Sequence, residues 1–264
     1  MLIIRKGFMY NERREQVRAL LQSKPFVSIK ELEAMFPDVS SMTLRRDIEY
    51  FEANHEAIKV RGGARSMKFI TTQTDGSITT RKNENVRSKD SIAQRAAELL
   101  ETGRSIFIDS GSTLQHIVRY VPNDRYSFTT TDPAAALELC KIGMPIVNIV
   151  GGRLDRDNQT VTGAQATRFL TDINIDIAFL APSGLSERSG FTVGNYSECE
   201  LKRLVVEKAR LSVILMDASK IDRSLPYTFA SFDTAHVLIT NAPLPPELAR
   251  LAVQKDVRVI NVSE

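Results

Sequence analysis

Two cysteines in 264 residues, Cys140 and Cys199, are too few and too far apart for a disulfide framework or a metal-ligand spacing. No apolar run approaches the ~18 residues that a membrane-spanning helix needs. The opening Met1-Leu-Ile-Ile-Arg-Lys is shorter than the hydrophobic region of a secretory signal. Nor does any nucleophile–base triad stand out. These absences lead us to expect a cytoplasmic protein with no membrane contact, metal or cofactor. Net charge is also scarce, with 35 Lys+Arg against 32 Asp+Glu leaving +3. That surplus is unevenly placed. Residues 1–68 carry 13 basic and 9 acidic side chains, whereas residues 69–264 carry 22 and 23. A polyanion partner is therefore expected in the N-terminal quarter and not elsewhere. A hydrophobic content of 42% with 25% charged residues supports a buried core, and the length suggests two domains.

The N-terminal quarter reads as three helices. Asn11 to Ser23 spaces Val17, Leu20 and Leu21 on one face, and Lys24-Pro25 ends it, because proline disfavours a helical residue before it. Ser28-Ile-Lys-Glu31 has the form of a capping box, in which each side chain satisfies the other's backbone donor. Its helix carries Ile29, Leu32 and Phe36 and is broken at Pro37-Asp38. The third helix starts at Ser40 or Ser41, either of which can cap it. Leu44, Ile48 and Phe51 mark its buried seam, Met42, Arg46, Glu49 and Tyr50 fall on the far side, and Arg45 lies on the flank. Two helices, a tight turn and an arginine-bearing third helix make a helix-turn-helix. Ala57–Val60 then reads as a short strand, and Arg61-Gly62-Gly63-Ala64-Arg65 as a basic hairpin turn, the wing of a winged helix. The expected DNA contacts are Ser40, Ser41, Met42, Thr43, Arg45, Arg46, Tyr50, Arg61, Gly62, Gly63 and Arg65.

Val27-Ser28, Glu31-Leu32, Val39-Ser40, Thr43-Leu-Arg-Arg-Asp47 and Val60-Arg-Gly-Gly-Ala64 together resemble the DNA-binding domain of the DeoR family of bacterial repressors. The sequence departs from that pattern in a turn one residue longer, at Phe36-Pro-Asp-Val39, and in Asn54-His55 where a glycine precedes the wing strand.

From Thr71 to Ser88 apolar residues are nearly absent apart from Ile78 and Val86, so residues 69–88 read as a linker between a DNA-binding domain at 1–68 and a second domain at 89–264. Beyond Lys89, seven short apolar runs alternate with helical patterns. The runs are 105–108, 126–129, 146–150, 175–180, 211–216, 237–239 and 257–260; the helix candidates are 91–100, 112–120, 133–141, 163–171, 197–209 and 246–254. Continuous apolar runs joined by helices imply an α/β fold with a mostly parallel sheet, with ligands bound beyond the carboxyl ends of its strands. Polar or glycine-rich loops follow three of those strands: Asp109-Ser110-Gly111-Ser112-Thr113, Thr130-Thr131-Asp132 and Gly151-Gly152. The first offers backbone N–H groups and hydroxyls to an anion where a helix begins. Residues 185–196, with Gly190 and Gly194, read as a lid. Glu198 and Lys202 share a helix face at i and i+4, and Asp217 and Lys220 end the fifth strand, a carboxylate and an ammonium suited to a sugar hydroxyl and a phosphate.

The DeoR resemblance continues to about Pro243 through Lys89, Ile92-Ala93, Asp109–Thr113, Gly151-Gly152, Thr162-Gly163, Gly190-Phe-Thr192, Asn195, Glu198, Lys202-Arg203, Asp217 and Ser219-Lys220. The family motif spaced like Arg81, Asn85 and Lys89 is present as well. It implies a sensor domain similar in fold to ribose-5-phosphate isomerase, with phosphate at Asp109–Thr113 and Lys202 and Lys220 as its partners. The family's T-N-[SA] and F-L-G-A stretches are here Thr130-Thr131-Asp132 and Phe179-Leu-Ala-Pro182. The expected function is a DNA-binding repressor of a carbohydrate-catabolism operon, released by a phosphorylated sugar or related metabolite and acting as a homodimer or homotetramer. The alternative is an isomerase-like enzyme with an appended DNA-binding domain, in which Asp109, Glu198 and Asp217 would do acid–base work.

Overall fold

The computed structural model describes residues 2–24, 26–54, 56–60, 62–66 and 77–262, which fall into two compact units, residues 1–74 and 75–264. Arg61 and residues 69–76, the first part of the expected linker, lie outside the described residues.

In the first unit, helix α1 (Leu2–Ser23) starts well before the expected Asn11, because nothing between the two positions except Gly7 opposes helix formation. Strand β1 (Phe26–Ser28) follows, then α2 (Ile29–Met35), α3 (Ser41–Ala53), β2 (Ala57–Val60) and β3 (Gly63–Ser66). Both β1 and β2 pair with β3 in antiparallel register. Strand β1, only three residues long, has no signature of its own in the sequence. Only half of the expected capping box forms. The Glu31 N–H donates to Ser28 Oγ at 3.1 Å, but the Glu31 carboxylate turns to the Lys24 ammonium. Val17, Leu21, Val27, Leu32, Leu44, Ile48 and Phe51 fill the core between helices and sheet. Gly63 belongs to that packing. A Cβ there would stand 2.2 Å from the Val27 carbonyl oxygen, so its glycine lets β1 lie against β3.

The second unit is built on a seven-stranded, wholly parallel sheet. In chain order it comprises α4 (Ile78–Asn83), α5 (Val86–Ala97), β4 (Ser105–Ile108), α6 (Leu114–Ile117), β5 (Ser127–Thr130), α7 (Pro133–Leu139), β6 (Ile146–Ile149), β7 (Arg153–Leu154), β8 (Val161–Thr162), α8 (Ala164–Thr171), β9 (Ile175–Leu180), β10 (Gly184–Ser186), β11 (Gly190–Val193), α9 (Tyr196–Lys208), β12 (Ala209–Leu215), β13 (Tyr227–Ala230), β14 (Val237–Thr240), α10 (Pro246–Gln254) and β15 (Arg258–Asn261). The sheet order is β15-β14-β12-β9-β4-β5-β6. The apolar runs of the inner strands β4, β9, β12 and β14 are continuous because each of these strands feeds two cores. Phe107, Ala178, Leu180, Ile214 and Leu238 face α8, α9 and α10, while Ile106, Ile108, Ile177, Phe179, Val213, Leu215, Val237 and Ile239 face α5, α6 and α7. The strand order reverses between β4 and β9. The chain runs outward from β4 through β5 to β6, then returns to β9 on the other side of β4.

Two stretches fold where looser structure was expected. Residues 77–88, assigned to the linker, carry α4 and the start of α5 and belong to the second unit. Ser77 caps α4 through the Thr80 N–H, Ile78 is buried, and the Ile78 N–H donates to the Asp157 carbonyl at 2.8 Å. The expected lid, 185–196, is a hairpin. Strands β10 and β11 pair antiparallel, β13 joins them, and Leu185, Phe191 and Val193 are fully buried. Gly190, at φ +64°, makes its turn, where a Cβ would meet the Ala230 carbonyl at 2.7 Å. The alternation Leu185, Phe191, Val193 is too short and too broken by glycine to read as a strand from sequence.

A buried strand and a mobile lid answer differently to truncation. Phe191→Ala should lower the stability of the second unit by roughly 3–5 kcal/mol, the usual cost of emptying a buried phenylalanine site. Urea unfolding followed by circular dichroism measures this; a change below about 1 kcal/mol would restore the lid.

Candidate functional site

Helix α3 turns two different faces to its surroundings. Ser40 caps it, accepting from the Thr43 N–H at 3.3 Å and lying 3.0 Å from the Thr43 hydroxyl. Leu44, Ile48 and Phe51 are buried, as their spacing requires, and Ser41, Met42, Arg45, Arg46 and Glu49 are exposed. The inner face also holds Asp47, a buried carboxylate between Arg13 (2.6 Å) and Arg14 (2.9 Å) of α1. Arg14 lies over the Tyr50 ring, 3.6 Å from its centroid. The expected contact Tyr50 is thus half-buried against α1, and Ser41 donates its hydroxyl to Glu33. The helix is joined to β2 by Lys59, whose ammonium meets Glu49 at 2.6 Å and whose N–H donates to Glu52 at 3.0 Å. The Lys59 hydrogen bond holds the Glu49 carboxyl below its ordinary pKa. In the wing, Arg65 and Gly62 are exposed, and Gly62 takes φ +89°. Gly63 is buried under β1, which removes it from the contact surface.

In the second unit a polar cleft opens beyond the carboxyl ends of β4, β9 and β12. It sits at the reversal of strand order, where α/β sheets bind ligands because neighbouring loops leave in opposite directions. One wall is the loop Ser110-Gly111-Ser112-Thr113, another is Ala181-Pro182-Ser183 after β9, and Glu198, Lys202, Lys220, Arg81 and Asn158 complete the lining. Below it Asp109 is buried. Its carboxylate accepts from the Lys202 ammonium at 2.6 Å and from the Ala181 N–H at 3.2 Å. Lys202 also donates to the Ala181 carbonyl at 2.6 Å and pairs with Glu198 at 3.0 Å. An ammonium has three donors, and all three are committed. Burial alone would lower the Lys202 pKa, but Asp109 and Glu198 outweigh it and hold the ammonium above the ordinary lysine value. Burial pushes the Asp109 carboxyl up, against the pull of that ammonium.

Several expected ligand residues do not reach the cleft. Thr130, Thr131 and Asp132 are buried at the end of β5, one strand away from the reversal. Asp132 caps α7, accepting from the Ala134 and Ala135 N–H groups, and its other oxygen accepts from Gln115 at 2.7 Å. Gly151 is exposed beyond β6, and Gly152 leads into β7 against β8, where a Cβ would stand 2.5 Å from the Thr162 carbonyl. Asp217 lies buried behind Lys220. It caps the turn Ala218–Lys220 through the Ser219 N–H at 3.0 Å and accepts from Asn85 at 3.2 Å. Arg81 and Asn158 are present at the cleft without having been expected there, and Ala181-Pro182-Ser183 reaches it from the strand end 179–184. Arg81 stands on α4 and donates to Asn158 at 2.8 Å. Its one signal was the spacing with Asn85 and Lys89. Lys89 is buried and donates to the carbonyls of Arg81 and of Glu84 (2.6 Å), which fastens α4 at its end. Burial lowers the Lys89 pKa, with Asp217 opposing. Asn158 lies in a loop without a pattern.

Among the described residues no three His, Cys, Asp or Glu side chains gather as a metal site, and no helix is long and apolar enough to cross a membrane.

Comparison with known proteins places both units. The DeoR-like helix-turn-helix domain matches residues 13–69, and the DeoR C terminal sensor domain matches residues 84–242. The HTH-type transcriptional regulator GlpR of Haloferax volcanii is 32% identical over 235 residues, covering 88% of this chain and 90% of that protein. The regulator IolR of Bacillus subtilis is 28% identical, covering 88% of this chain and 92% of that one. Among solved structures, ribose 5-phosphate isomerase A of Methanocaldococcus jannaschii aligns with 52% of this chain and 55% of its own, at 20% identity and a TM-score of 0.39. The full-length relatives are named as regulators and not as enzymes. With an arginine-bearing helix-turn-helix in one unit, a polar cleft in the other and both family domains matched, this chain belongs to the DeoR family of DNA-binding transcriptional regulators.

Proposed function

We propose that the protein represses a carbohydrate-catabolism operon in the cytoplasm and leaves its operator when a phosphorylated sugar or related metabolite fills the sensor cleft. One observation carries this reading: cationic side chains of Arg81 and Lys220 converge with the hydroxyls of Ser110, Ser112, Thr113 and Ser183 on one cleft at the strand reversal. Cations and hydroxyls recognise a phosphate, and the Glu198 carboxylate at the same rim accepts from a polyol. Lys202 has a different part from the one its resemblance implied. With its donors taken by Asp109, Ala181 and Glu198, it is a strut beneath the ligand. On the DNA side, α3 enters the major groove with Met42, Thr43, Arg45 and Arg46 outward, and Arg65 of the wing reaches the backbone. One such module covers a small interface, so a homodimer or homotetramer reading repeated half-sites fits the fold. The ligand acts by favouring one state of the protein over another, a coupling typically worth ~1–3 kcal/mol.

Fluorescence anisotropy on the gene's own upstream region, with and without a panel of sugar phosphates, tests the whole. If no compound in a broad panel weakens DNA binding, the release mechanism is wrong. Arg46→Ala should weaken operator binding about tenfold or more while ligand-induced thermal stabilisation persists. Lys220→Ala should do the reverse. The strut makes its own prediction. Lys202→Met leaves buried carboxylates without a cation and should destabilise the sensor unit by about 3 kcal/mol, whereas adding Asp109→Leu should recover part of that loss. A Lys202→Met protein of unchanged stability would return Lys202 to the ligand.

A further inference from the structure

The cleft's walls differ in how firmly they are held. The loop after β4 and the segment after β9 are pinned together at Ala181 by Asp109 and Lys202, both deep in the unit. Arg81 stands instead on α4, six residues long, a length far below what holds a helix together without tertiary support. Among residues 77–88, Ile78 is the one buried apolar side chain, and Val86 is exposed. The remaining attachments are polar. They include Ile78 N–H to Asp157 (2.8 Å), Arg81 to Asn158 (2.8 Å), Lys82 to Gln159 (3.2 Å), Asn85 to Asp217 (3.2 Å) and the buried Lys89 ammonium to the Arg81 and Glu84 carbonyls. Segments held by few apolar contacts and mostly by polar ones open at lower free energy than the packed core. Asn158 and Lys220, at the two places where this strap is fastened, themselves line the cleft.

We infer that Arg81 is an effector-binding residue and that the bound anion, bridging Arg81 and Lys220, locks the strap 77–88 onto the sensor unit. This rests on the cleft being the effector site. The strap is the first part of the sensor unit after the residues that join it to the DNA-binding unit. Released, its twelve residues would add up to roughly 40 Å of reach to that connection. Locked, they withhold it. The effector then acts on DNA binding by setting the length of tether available to each DNA-reading unit, and an anion that prefers the locked strap shifts the equilibrium by its differential affinity alone.

Amide hydrogen exchange on the full-length protein tests this, with inorganic phosphate as the probe and chloride added to match ionic strength. At ten times its dissociation constant, phosphate should slow exchange about tenfold in both 78–84 and 110–116. In Arg81→Ala, saturating phosphate should still protect 110–116 but not 78–84, and phosphate should no longer weaken operator binding. Arg81→Lys should restore part of both responses. Unchanged exchange in β9 shows that the variants fold. Protection of 110–116 without 78–84 in the wild-type protein overturns the strap and leaves the cleft standing. Equal strap protection in Arg81→Ala overturns the role of Arg81. Protection of neither segment overturns the cleft reading, and the strap with it.

Discussion

A buried ammonium ties the sensor unit together at the point where the order of its sheet reverses. Between β4 and β9 the connections leave in opposite directions, so the two strand ends have no common loop to close them. Lys202 fills that gap from α9, bonding the Asp109 carboxylate after β4 and the Ala181 carbonyl after β9, with Glu198 one turn earlier on its own helix. An apolar side chain could pack there but could not satisfy a strand-end carbonyl, and an unpaired buried polar group costs more than it returns. The charge network therefore does two things at once. It closes the floor of the cleft, and it commits the Lys202 ammonium to protein acceptors.

The DNA-binding unit uses the same device on its recognition helix. Asp47 is buried on the inner face of α3 and receives Arg13 and Arg14 from α1, while Arg14 also covers Tyr50. Apolar packing through Leu44, Ile48 and Phe51 fixes the distance of α3 from the core but tolerates rotation and sliding. A carboxylate held by two guanidinium groups fixes both. Met42, Arg45 and Arg46 are then presented at a set angle, and Lys59 bonds Glu49 and Glu52 to carry the wing with the helix.

Features repeated along the chain were legible in the sequence. The inner strands β4, β9, β12 and β14 are apolar on both faces and stood out as continuous runs, and the 3.6-residue spacing of Leu44, Ile48 and Phe51 marked α3. Features that depend on a partner far along the chain were hidden. Strand β1 exists because Gly63 admits it, β11 because β10 and β13 flank it, and α4 because Asp157 and Asn158 receive it. The site followed the same division. Asp109–Thr113, Glu198, Lys202 and Lys220 were visible as polar residues at strand and helix ends. Thr130–Asp132 and Gly151-Gly152 looked identical in that respect. What separates them is sheet order, since β5 and β6 lie on the outward run and only β4 borders the reversal. Residue type names a strand end; it does not say which strand is its neighbour.

A ligand can switch a protein only through parts whose position depends on it. The floor of this cleft is fixed whether or not an anion is present, because Lys202 is saturated by protein acceptors. Its rim is another matter. Lys220 sits on a single 3-10 turn capped by Asp217, and Arg81 on a six-residue helix held by one buried apolar side chain and otherwise by polar contacts. Asp217 links the two, accepting from Ser219 on one side and Asn85 on the other. It lies too deep to touch a ligand, yet it holds the turn and the strap to one another. A sensor needs both kinds of wall. Rigid residues define which ligand fits, and loosely held ones convert its arrival into a change that the rest of the chain can feel.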